Sequence, residues 1–94
     1  MFVLHIDLPA SKAKEQDLEQ TFTGIFRPAI SRQQGFRGVE LLQSVDDATL
    51  YCLTISFENQ EMQQKWVATD LHEEVWPALQ NLCTGFSIRK YSSI

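Results

Sequence analysis

Residues 48–57, ATLYCLTISF, alternate side to side as a strand does, yet apolar side chains fall on both faces. Tyr51, Leu53, Ile55 and Phe57 form one row; Leu50 and Cys52, with Thr54 and Ser56, form the other. A strand covered by helices on one side and by water on the other alternates cleanly between apolar and polar. This one asks for cover on both sides. The preceding strand, residues 36–45, also carries apolar residues on both faces. The chain has only 94 residues, room for one domain, and a domain that small buries only about two-thirds of its unfolded surface. The economical cover for the second face is the same face of a second copy, so a homodimer is expected.

The rest of the chain supplies the first layer. Phe2, Leu4, Ile6 and Leu8 alternate with Val3, His5 and Asp7, a period-two strand ended by Pro9. After Ser11, a candidate N-cap, the period lengthens: Leu18, Phe22, Ile25, Phe26 and Ala29 make a helical stripe. Pro28 falls inside it and predicts a kink, and Gly35 a stop. Asp46-Asp47 marks the turn of a hairpin between residues 36–45 and 48–57. Asn59 reads as the cap of a helix carrying Met62, Trp66 and Val67. Thr69 or Asp70 reads as a second cap, with Asp70 and Glu73 at capping-box spacing. A break is therefore expected at 68–70, then a second helix with Leu71, Val75, Ala78, Leu79 and Leu82 on one face and Pro77 inside. Gly85 is expected to end it, and Phe86, Ile88 and Tyr91 to lie on a last strand. The order β-α-β-β-α-β predicts an α+β, ferredoxin-like split βαβ domain over residues 1–94 with an antiparallel sheet.

Composition removes several functions. Eight Lys+Arg against twelve Asp+Glu give a net charge of −4, so no whole-molecule attraction draws the chain to nucleic acid or anionic membranes. No apolar run approaches membrane-spanning length, and the N-terminal MFVLHIDLPA lacks the basic start of a signal sequence; a cytoplasmic protein is expected. Cys52 and Cys83 belong to no metal-ligand spacing and read as small buried hydrophobes. The only close glycines, Gly35 and Gly38, do not form a phosphate-cradling loop.

The element order, the hairpin and the segment ISFENQEMQQKWVATDLHEEVWPAL together resemble the antibiotic biosynthesis monooxygenase family. The most specific part is Phe57 followed by Trp66, Thr69 and His72, similar to a W-x-x-[ST]-x-x-H run in that family. The resemblance implies a dimer whose sheets close an α/β barrel, with a pocket in each protomer between sheet and helices. It implies a cofactor-independent monooxygenase acting on a small flat phenol- or quinol-like aromatic, with no cofactor and no metal. In quinone-forming members an Asn and a Trp on this helix bind or activate a phenolic polycycle, and a polar residue six positions after the Trp assists. Trp66 matches; the place one turn earlier holds Met62, and His72 fills the later one. In haem-degrading members a ligating histidine comes ten residues after the Trp and an Asn lies on the first strand. Those places hold Trp76 and, approximately, His5 or Asp7, so haem degradation is not expected.

The candidate residues also have plainer readings. An aromatic at helical spacing from Met62 is ordinarily core, although a core Trp can also wall a pocket and offer its N–H to an oxygen. His72, beside Glu73 and Glu74, reads either as a helix-start histidine or as a general base that deprotonates a phenol. The second role requires the break at 68–70, because residues six apart do not share a face of one helix. Met62 and Arg89 are candidate substrate contacts. His5 and Asp7 share a strand face, either as a base and its orienter or as a polar pair at an interface. Few polar groups converge, and no amide stands at Met62, so a dimeric α/β-barrel protein that binds a small ligand without chemistry is the alternative.

Overall fold

A computed structural model describes residues 1–94. Strand β1 (Phe2–Pro9) is followed by helix α1 (Glu15–Thr21), a π-helical turn over Phe22–Phe26, and helix α2 (Arg27–Ile30). Strands β2 (Phe36–Gln43) and β3 (Leu50–Phe57) form the hairpin. Helices α3 (Gln60–Val67) and α4 (Asp70–Gln80) then lead to β4 (Ser87–Ser92). The sheet order is β2-β3-β1-β4, every pair antiparallel. This is the expected α+β ferredoxin-like arrangement.

Strand parity puts Leu4, Ile6 and Leu8 of β1 beside Ile55, Leu53 and Tyr51 of β3. All six are buried, and with Leu18, Phe22, Phe26, Ile30, Phe57, Trp66, Val75 and Leu79 they make one core beneath the helices. Tyr51 brings a hydroxyl into this layer. It donates to the Glu19 carboxylate and accepts from Gln43 Nε2, 3.0 Å away. Burial and that carboxylate push its proton affinity far above the ordinary phenol range.

Several local expectations change. Ser11 is not the first cap: α1 starts at Glu15 after Lys14, and the Ser11 carbonyl instead accepts the Lys14 N–H across a turn at Ala13, whose φ is +63°. Pro28 produces no simple kink. The disturbance is taken up one turn earlier as the π-turn, and Pro28 sits at the start of α2, where its missing N–H matters least. The wider turn spaces the buried residues by four, Leu18, Phe22, Phe26 and Ile30, and rotates Ile25 out to 49% exposure. β2 ends at Gln43, leaving Val45 in the turn and fully exposed. That turn needs no glycine, because Ser44 Oγ accepts the N–H groups of Asp46 and Asp47 at 3.2 Å and Asp47 Oδ1 accepts that of Thr49 at 3.0 Å. α4 ends at Gln80, ahead of Gly85, in a tight turn whose Cys83 bridges to Ala10. Neither cysteine is fully buried. Cys52 alternates onto the sheet face that no helix covers, beside Asp7. No helix is long and apolar enough to cross a membrane.

Candidate active site

The site is built by two caps and the gap between two helices. Asn59 opens α3 by accepting the Met62 N–H at 2.9 Å. α3 is halted at Ala68, and Thr69 restarts the chain as α4 by accepting the His72 N–H at 3.1 Å. Between Thr69 and Asp70 as candidate caps, the structure selects Thr69. The bend brings the Trp66 and His72 rings together, centroids 5.2 Å apart and planes at 85°. Trp66 is 2% exposed and also meets Phe26 edge-on at 6.2 Å. His72 lies nearly parallel to Trp76 at 6.4 Å, and Trp76 meets Phe86 at 5.5 Å and 87°.

These rings enclose one side of a cavity of about 220 Å³ between the sheet and the helices. Leu4, Ile6, Ile55 and Ile88 floor it from the sheet; Phe26, Trp66, Val67, Trp76 and Phe86 wall it. Gln63 and His72 are its two polar lining residues, and no Lys, Arg, Asp or Glu borders it. Larger surface depressions occur elsewhere, but they lack this enclosure by aromatic rings and neither tryptophan borders them.

His72 is half-buried, and loss of solvation lowers its proton affinity, with Glu73 opposing weakly. Its Nδ1 is buried with no hydrogen-bond partner in the protein. For Nε2 to take a proton, the neutral ring must carry its hydrogen on Nδ1.

Of the four residues expected at the site, two share the cavity and two lie elsewhere. Met62 projects towards the loop before β2. A Cβ on Gly35, whose φ is +80°, would stand 2.7 Å from the Met62 Cγ, so the Met62 side chain packs on a glycine. Arg89 pairs in register with His5, opposite the cavity face, and its guanidinium contacts Asp7 at 3.3 Å. Ile88, one residue away, is the β4 side chain that reaches the cavity. The broken alternation of Phe86, Ile88 and Tyr91 had hidden that parity: Phe86 precedes the strand, and Tyr91 shares the bare face with His5, their rings 4.9 Å apart.

Gln63, Trp76 and Phe86 are among the cavity residues missed from sequence. Gln63 stands three before Trp66, on the same helix face, so the i, i+3 rule could have found the amide that Met62 lacks. Trp76 is likewise four after His72. Phe86 had no local signal, since its place depends on where β4 begins.

No three His, Cys, Asp or Glu side chains gather where they could hold a metal ion. Trp76, where haem-degrading members carry a ligating histidine, presents an indole to the cavity, and the cavity has no cation for a propionate. These residues do not fit haem.

A four-stranded antiparallel sheet roofed by helices on one side, with an aromatic cavity between the layers, defines a ferredoxin-like α+β domain. The antibiotic biosynthesis monooxygenase family model matches residues 1–76, and the chain belongs to that family. SnoaB of Streptomyces nogalater, described as a cofactor-independent oxygenase, superposes with a TM-score of 0.88 at 17% identity, over 98% of this chain and 91% of its own. A Nitrosomonas europaea protein provisionally named an antibiotic biosynthesis monooxygenase gives 0.85 at 16%, over 100% and 99%. A conserved Methanosarcina mazei protein gives 0.87 at 11%, over 99% and 92%. At such identities the likeness is one of fold. No curated protein sequence matches the chain.

Proposed function

We propose that the protein is a cofactor-independent monooxygenase that oxidises a small, flat, uncharged phenol- or quinol-like molecule with dioxygen. The observation that carries this reading is the shared cavity of Trp66 and His72. An aromatic-walled space of this size suits one or two fused rings: a 150 Å³ cavity holds benzene, and drug-sized ligands take about 300 Å³ or more. With no cation on its wall, a carboxylated ligand would lose hydration without gaining a partner.

In this reading His72 Nε2 takes the phenolic proton. The resulting anion is electron-rich enough to pass one electron to dioxygen, and the radical and superoxide join at a ring carbon. His72 returns its proton to the peroxide, the O–O bond breaks, and the ring carbon gives up its hydrogen. One oxygen atom stays as the new carbonyl and the other leaves as water, so phenol and dioxygen yield quinone and water. Trp66 stacks on the ring, and Gln63 holds an oxygen by its amide. An imidazole kept neutral by burial is in the state such a base requires.

The proposal includes a homodimer formed through the bare sheet face, where Val3, His5, Cys52, Thr54, Leu42 and Tyr91 would find cover. The test is oxygen uptake with a panel of neutral one- and two-ring phenols that carry hydrogen para to the hydroxyl. Wild type is expected to consume oxygen and His72→Ala to lose at least about 100-fold of the rate; equal rates would remove the base. A second reading has support in the near-absence of polar groups on the cavity wall: a ligand-binding protein without chemistry, which would bind the same panel and leave oxygen untouched.

A further inference from the structure

Thr69 makes two bonds with one hydroxyl. Its Oγ1–H donates to the Trp66 carbonyl at 2.7 Å, while the same oxygen accepts the His72 N–H at 3.1 Å. A hydroxyl has one hydrogen, so its direction is settled: the hydrogen belongs to the last turn of α3 and a lone pair to the first turn of α4. The Trp66 carbonyl also receives the Thr69 backbone N–H at 3.1 Å. His72 is the third residue of α4, where the amide has no intrahelical acceptor and depends on the cap. The two residues tied by this hydroxyl are the two whose rings meet in the cavity.

Building on the reading of that cavity as the ligand site, we propose that Thr69 is a positioning residue, whose hydroxyl fixes the angle between α3 and α4 and so holds the Trp66 indole and the His72 imidazole in contact. Capping alone asks only for an acceptor, as Asn59 shows on α3: it accepts the Met62 N–H and makes no bond back to the strand before it. The donated bond to Trp66 is what a mere cap lacks.

The experiment uses the two histidines, His5 and His72, as NMR reporters. The Hε1 signal of His72 is displaced by the ring currents of Trp66 and Trp76, and is read at a pH where the ring is neutral. Thr69→Ser keeps both bonds and is expected to retain the wild-type displacement. Thr69→Val keeps the shape, loses both bonds, and is expected to lose most of it while the His5 signal stays in place. Thr69→Asp is the decisive variant, since it preserves a strong cap and hence the fold, yet cannot donate to Trp66; it too should lose the displacement. Asn59→Ala removes a comparable cap and should lower Tm without moving the His72 signal. The proposal is overturned if Thr69→Asp or Thr69→Val keeps the wild-type signal, if Thr69→Ser fails to restore it, or if Asn59→Ala moves it as far. None of these readouts needs turnover, so a wild-type protein that consumes no oxygen would defeat the oxidation reading and leave this one standing.

Discussion

Trp66 and His72 touch edge to face, centroids 5.2 Å apart, although six residues separate them. On one straight helix they would point about 120° apart, at about 100° per residue. They meet because α3 stops at Val67 and α4 starts at Asp70. Trp66 serves two layers at once, closing the core against Phe26 and walling the cavity. Trp66→Ala should therefore cost about 3–5 kcal/mol of stability, measured by urea unfolding, and Trp66→Phe less. A loss under about 1 kcal/mol would mean the indole does not close the core.

The lowered proton affinity of His72 has a pH signature. The folded protein disfavours the charged imidazole, so between the folded and the ordinary imidazole pKa the unfolded chain binds more protons and stability rises with pH. The contribution is complete above the ordinary imidazole value of 6.5 and is lost as pH falls below it towards the lowered folded value. Glu73, the one charged group acting on the ring, reduces the effect. Thermal melts from pH 8 to 5 should show the wild type losing more stability than His72→Gln, with the difference opening below 6.5. A constant difference across the range would contradict the burial of the ring.

Gly35 is held at φ +80° with Met62 against its α-carbon. Gly35→Ala should cost about 1–3 kcal/mol from backbone conformation, plus the overlap of the new Cβ with the Met62 side chain. In a Met62→Ala background the penalty should shrink without vanishing, because the Cγ overlap goes while the 2.8 Å approach of the residue-62 Cβ and the positive φ remain. Additive losses in a double-mutant cycle would show that the Met62 side chain beyond Cβ does not press on residue 35.

Pairing through the bare face predicts the behaviour of Thr54→Arg. Thr54 lies on β3, flanked by β1 and β2, and faces away from the core, opposite His5 and Glu40. An arginine there leaves the protomer's own packing alone but puts a bulky charge at the centre of the contact. Light scattering should give a dimer for the wild type and a monomer for the variant. A dimeric Thr54→Arg protein would move the interface elsewhere.

Most of the fold was legible because each element carries its own period. The alternation in residues 2–8 and 50–57, the caps at Asn59 and Thr69, and the break between α3 and α4 are local signals, and the structure follows them; Ala48 and Thr49, expected in the strand, belong to the turn. What escaped depended on distant geometry. Ile25 fits the helical stripe on paper, but the π-turn ahead of Pro28 rotates it out. Arg89 could not be assigned a face until β4 was registered on β1. Met62 and Gln63 are neighbours on a helix; Met62 packs against Gly35 and Gln63 lines the cavity.

In β1, Leu4 and Ile6 look into the cavity while His5 and Asp7 look out from the other side of the sheet. Inserting or deleting one residue in the middle of that strand would exchange these populations downstream of the change, sending aliphatic groups to the outside and a carboxylate into an oily chamber. Point changes along this ribbon can adjust one side at a time; changes of length rewrite both.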